Sequence, residues 1–178
     1  DDQVTLTKVI ENDVNPLVRR AAIHSLAPRD TREARLAIEA ALADDSPDVR
    51  IGAAEAIARR ADGKSSVPAL KVYTANETWP LGLSAGYAVL VQHGDEGVQD
   101  FLEREILRDP RTSRAEIIAD ALKRGVRGIS IVVSRQLLQD KQVSFMLKRH
   151  VIDALGITSS PANQKLLFEV IESAQPFP

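Results

Sequence analysis

Few groups in this chain are able to do chemistry, and their spacing excludes more than it suggests. There are three histidines, His24, His93 and His150, and no cysteine. None of the three precedes a glutamate, and none has a second histidine one helical turn away, so the spacings at which imidazoles share a metal are missing. Without a thiol there is no disulfide, thiolate centre or cysteine nucleophile. The expectation is a chain with no catalytic residue, no metal and no cofactor.

Arg19 and Arg50 are the most conspicuous charges. Each stands six residues after an aspartate, Asp13 and Asp44, and three after a proline. A guanidinium fork could clamp a phosphate or a carboxylate. The competing reading is structural, because a half-buried guanidinium needs a partner within the fold. On that reading Asp13, Arg19, Asp44 and Arg50 form a ladder between repeats, with Asp45 or loop carbonyls as further acceptors.

The elements that would carry these residues recur with a period. The segment Asp13-Val14-Asn15-Pro16-Leu17-Val18-Arg19-Arg20-Ala21-Ala22 aligns with Asp44-Asp45-Ser46-Pro47-Asp48-Val49-Arg50-Ile51-Gly52-Ala53. The apolar anchors Leu26, Ile57, Leu90, Leu122 and Leu155 follow at spacings of 31, 33, 32 and 33 residues. Each period holds two helical segments. First helices are predicted over 3–11, 32–43, 64–75, 95–107 and 127–139, and second helices over 16–27, 47–60, 80–92, 112–124 and 145–156. Repeats then run over 3–28, 31–62, 64–94, 95–125 and 127–156, followed by a helix over 161–174.

Local chemistry supports these bounds. Asn15, Ser46 and Ser144 suit the N-cap position, and Pro16 and Pro47 the first helical position, where no amide is needed. Gly63, Gly94, Gly125 and Gly156 are expected to stop second helices with positive φ. The small pairs Ala21-Ala22, Gly52-Ala53 and Ala85-Gly86 mark places where helices approach closely. One hairpin could not bury its apolar face alone, whereas stacked hairpins can.

The string Asp-x-x-Pro-x-Val-Arg-x-x-Ala, with Leu or Ile four positions on, resembles the HEAT repeat, and the short period resembles its bilin-lyase-like subgroup. The match is strong in the first two repeats and weaker, but in register, to about residue 156. The resemblance implies an all-α fold, an α-solenoid of about five helical hairpins plus a C-terminal helix, with second helices lining a concave face. It says little of function, since such folds serve mostly as scaffolds. The third repeat departs from the pattern: Trp79 takes the cap position and Leu83 the arginine slot. The ladder is expected to break there.

If the second-helix face is exposed, it carries Arg20, His24, Glu55, Glu116, Asp120 and Arg149. That mixture of charge suits a protein partner better than nucleic acid. Tyr87 is a further candidate contact, with core packing as the competing reading, and Trp79 is weighed the same way. The cluster Lys123-Arg124-Gly125-Val126-Arg127 with Lys148-Arg149-His150 could form a small basic patch. A HEAT-like DNA glycosylase would need a carboxylate such as Asp120 or Asp153 beside aromatics such as Trp79, and the resemblance to bilin-lyase repeats implies a tetrapyrrole-holding or chaperone role as another alternative.

Composition agrees with a binding module. The chain has 178 residues, 23 Lys+Arg against 25 Asp+Glu, and a formal charge of −2. That lacks the cationic excess of a general nucleic-acid binder. Aromatics are 4% of residues, so the core must be built from Ala, Leu, Ile and Val. No apolar run is long enough to span a membrane, and a soluble, cytoplasmic protein is expected. The start at Asp1-Asp2 and the end at Gln175-Pro176-Phe177-Pro178 suggest a processed chain or a piece of a larger one.

Overall fold

Helix starts follow the chemistry of the residues that precede them. In the computed structural model, which describes residues 2–125, 127–157 and 160–173, eleven α-helices are joined by short turns, with no strand among the described residues. They are α1 (Asp2–Asn12), α2 (Pro16–Leu26), α3 (Arg32–Ala40), α4 (Pro47–Arg59), α5 (Val67–Asn76), α6 (Pro80–His93), α7 (Glu96–Arg108), α8 (Ser113–Arg124), α9 (Ile131–Gln139), α10 (Phe145–Ile157) and α11 (Pro161–Ser173). A 3-10 turn extends α3 over Ala41–Ala43, and another leads into α5 over Gly63–Ser66. The expected final residues 174–178 and Val126 lie outside the described residues.

Asn15 caps α2 by accepting from the Leu17 amide at 3.0 Å. Ser144 caps α10 through the Leu147 amide at 3.1 Å. Ser46 does not cap with its hydroxyl; the Asp44 carboxylate accepts from its amide instead, at 2.8 Å. The fourth repeat starts its second helix at Ser113 under the Thr112 cap, one residue after the expected start.

The expectation for glycine stops needs correction. Gly94 and Gly125 end α6 and α8 with φ of −77° and −80°, Gly63 lies in a 3-10 turn, and Gly156 is inside α10. The one positive-φ glycine among the described residues is Gly128, at 64°. It turns the chain ahead of α9, which is why that helix begins at Ile131 rather than at 127.

The chain forms two compact units, one up to Asp95 and one from Glu96. Each is a stack of helical hairpins of the α-solenoid type. In the first unit α1, α3 and α5 pair with α2, α4 and α6, and α4 lies between α2 and α6. In the second, α7 and α9 pair with α8 and α10, α10 packs on α8, and α11 packs on α9 and α10. The anchors Leu26, Ile57, Leu90, Leu122 and Leu155 are all at most 1% exposed. Burying each contributes about 1.5–3 kcal/mol relative to leaving it in water. Close approach needs the small residues: a Cβ on Gly52 would stand 2.7 Å from Arg20 Cγ, and one on Gly86 2.6 Å from Thr74 Cγ2.

Candidate functional site

Arg19 and Arg50 sit on the first turn of α2 and α4, so their side chains reach the turn ahead of the next repeat's second helix. Arg19 binds Asp44 at two points, Nε to Oδ2 at 2.9 Å and Nη2 to Oδ1 at 2.7 Å, and donates Nη1 to the Asp13 carbonyl at 2.8 Å. Arg50 repeats this on Glu77, Nε to Oε2 at 2.8 Å and Nη2 to Oε1 at 3.1 Å, and donates Nη1 to the Asp44 and Asp45 carbonyls. Glu77 also accepts from the Thr78 and Trp79 amides, both at 2.9 Å. It thereby does for α6 what no side-chain cap does at Trp79. Burial pushes the Glu77 carboxyl up, but the Arg50 hydrogen bond and the two amides outweigh it and hold the group at about 2. Asp44 is held below its ordinary value in the same way: burial opposes, and Arg19 with the Ser46 amide prevails. With Leu83 in the next arginine slot, the ladder ends at Glu77.

A second set of links runs the other way, from the ends of the second helices back to the preceding repeat. Arg60, only 4% exposed, donates to the carbonyls of Ala27, Arg29 and Thr31 and pairs with Asp62 at 2.7 Å. One repeat on, His93 Nε2 lies 3.3 Å from the Ala58 carbonyl, and Gln92 donates to the same oxygen at 2.7 Å. Arg60 and Glu77 were not singled out from the sequence. Glu77 had a readable signal, since it precedes Pro80 by three residues as Asp13 and Asp44 precede theirs.

Residues 82–86 spell Gly-Leu-Ser-Ala-Gly, the order of a hydrolase nucleophile elbow. The chemistry of that motif needs a strained strand-to-helix turn that exposes the serine. Here the segment lies inside α6, and the glycines serve packing: a Cβ on Gly82 would stand 2.8 Å from Glu77 Cδ and from the Tyr73 hydroxyl.

The sequence-predicted face residues fall into separate groups. On α2 and α4, Arg20 donates to Glu55 at 3.1 Å, His24 Nε2 lies 3.8 Å from the same carboxylate, and Arg59 reaches His24 Nδ1. Side chains of Arg20 and His24 are 33% exposed and that of Glu55 is 41% exposed. Burial first, and then the neighbouring Arg59, push the His24 imidazole below its ordinary pKa. The cluster therefore holds two cations, one anion and an imidazole that resists protonation.

In the second unit Glu116 accepts from the Ser144 hydroxyl. Asp120 gathers Lys123 at 3.0 Å, Arg124, and His150 at 3.6 Å, while Asp153 lies 3.7 Å from Lys123. Within the expected basic patch, Lys123, Arg124 and His150 are thus paired with aspartates, while no aspartate pairs with Lys148 or Arg149 among the described contacts. Arg149 is exposed on α10, and Tyr87 is 1% exposed in the core. Trp79 is 37% exposed at the start of α6.

A groove of about 630 Å³ lies beside the ladder, between Leu42 and Ala43 on one side and Val72 and Tyr73 on the other, with Arg50 and Asp45 among its lining. Among the described residues no cluster of three His, Asp or Glu has the arrangement to hold a metal ion, and no helix is long and apolar enough to cross a membrane.

The family model described as HEAT repeats matches residues 4–90. No curated protein matches the chain.

Proposed function

Residues 4–90 are HEAT repeats, and from that premise we propose that the chain is a non-catalytic protein-interaction module that holds its partner on the exposed face of its second helices. The observation that carries this reading is the Arg20–His24–Glu55–Arg59 cluster. It spans two successive second helices, it is between a third and two-fifths exposed at Arg20, His24 and Glu55, and its excess cation favours a partner surface bearing carboxylates. Within the second unit, α8 and α10 carry charge of both signs at Glu116, Asp120 and Arg149. Such a pattern selects a partner by matching charges in order, which a uniform cationic groove for nucleic acid does not do.

Affinity capture with the full chain tests this, with partners identified by mass spectrometry. Glu55→Arg reverses the central charge without touching the core and should abolish capture of the partner. Lys8→Glu, a charge change of the same size and opposite sign at an exposed position of α1, should leave it intact. Partners retained by Glu55→Arg at undiminished yield would overturn the assignment of this face.

A further inference from the structure

Each second helix repeats a slot three residues before its anchor: Ile23, Ala54, Tyr87, Ala119 and Ile152. The first four are at most 1% exposed, whereas Ile152 is 39% exposed. Helix α4 lies on α2, α6 on α4 and α10 on α8, but among the described residues no second helix lies beyond α10. A position that the repeat elsewhere seals is here open.

Ile152 does not stand alone. Phe145 is 78% exposed, Met146 44% and Ile157 64%, and the Asp153 side chain is 43% exposed. Arg149 and Gly156 are exposed as well. Positions 145, 149, 152 and 156, with 146, 153 and 157 beside them, fall on one stripe of the helix, about 18 Å long at 1.5 Å per residue. The stripe is apolar at both ends and charged in the middle, and reversal about residue 151 sets Phe145 on Ile157 at the ends and Arg149 on Asp153 in the middle, a two-fold symmetry of complementary groups.

That symmetry identifies an occupant. We propose that this stripe pairs with a second copy of the chain, the two α10 helices running antiparallel across a two-fold axis. Phe145 then meets the partner subunit's Ile157. Met146 lies over the partner subunit's Gly156, where no atom stands within 4 Å of a would-be Cβ. Arg149 faces the partner subunit's Asp153, and the pair occurs twice. Asp153 already faces Lys123 at 3.7 Å, but its side chain is 43% exposed, which leaves room for a second cation. One helix pair buries less than the roughly 800 Å² per partner of a standard interface, which places the dimer in the weak class.

The test is sedimentation velocity of the full chain from micromolar to millimolar concentration. The wild-type sedimentation coefficient should rise with concentration. Arg149→Asp sets two carboxylates against each other and should weaken association at least about tenfold. Adding Asp153→Arg to it restores the pairing with signs exchanged and should recover the dimer, a result that mere loss of folding could not give. Ile152→Arg should remain monomeric throughout with an unchanged circular dichroism spectrum. Glu55→Arg should leave the dimer untouched, which keeps this interface distinct from the α2–α4 face. A wild-type chain that stays monomeric at millimolar concentration, or a dimer indifferent to Ile152→Arg, would overturn the proposal and leave the stripe to another partner.

Discussion

Arg50 lies on α4 and Glu77 in the turn before α6, yet they form a two-point ion pair in which the carboxylate side chain is 1% exposed and the guanidinium 21%. A buried charge so held depends on its partner, because removing one member leaves the other without solvent or counterion.

Arg50→Ala should therefore lower unfolding stability by about 3 kcal/mol in urea titration. Arg19→Ala should lose less, since the Asp44 side chain is 13% exposed against 1% for Glu77. The double change Arg50→Met with Glu77→Leu should recover part of the loss, because the charge that needed a partner is gone while the Thr78 and Trp79 amides lose their acceptor.

Acid stability follows from the same pair. Glu77, at about 2 in the fold, lies below its unfolded value, so the folded state binds fewer protons in that interval. Its stabilisation is complete above about pH 4.3, the ordinary glutamate value, and declines as pH falls towards its folded value. Asp44, also depressed, acts in the same sense. Urea midpoints measured from pH 5 to pH 2 should fall steeply in the wild type and less steeply in the double variant.

The histidines add a milder slope at higher pH. His24 and His150 are both pushed below the ordinary imidazole value, by burial first and then by Arg59 and Lys123 respectively. The unfolded chain therefore takes up protons first as pH drops through about 6.5, and stability is lost until the folded imidazoles also titrate. Substituting both by Gln should flatten the stability profile between pH 6.5 and 5.

The legible part of this fold was the part that repeats. The anchors and the Pro-x-x-Arg spacing located the helices, and the family model covers the segment where those spellings are cleanest. Glu77 was obscured by its change from Asp and by Trp79 in the cap position. Arg60 was unreadable because the acceptors that link it to the preceding segment are backbone carbonyls, which every residue carries. Ile152 occupied a legible slot, but its exposure depends on what lies next along the stack, and composition is silent on that.

Two glycines should respond oppositely to a methyl group. Gly86→Ala drives a Cβ to 2.6 Å from Thr74 Cγ2 and 2.9 Å from the Tyr73 ring, both on buried residues, and should cost about 1–3 kcal/mol. Gly156→Ala meets nothing within 4 Å and should gain up to about 1 kcal/mol from helix propensity. Thermal melts at low protein concentration compare the two.

The arginine-to-carboxylate rungs have a direction. The stretch from Asp44 to Asn76 begins with an acceptor for the module before it and carries, in Arg50, a donor for the module after it. A tandem copy of that stretch would offer compatible groups at both seams, so the array can be lengthened by duplication there without inventing a new contact. After Leu83 the same operation would leave a carboxylate without its cation, so growth of the chain from that point cannot reuse this rung.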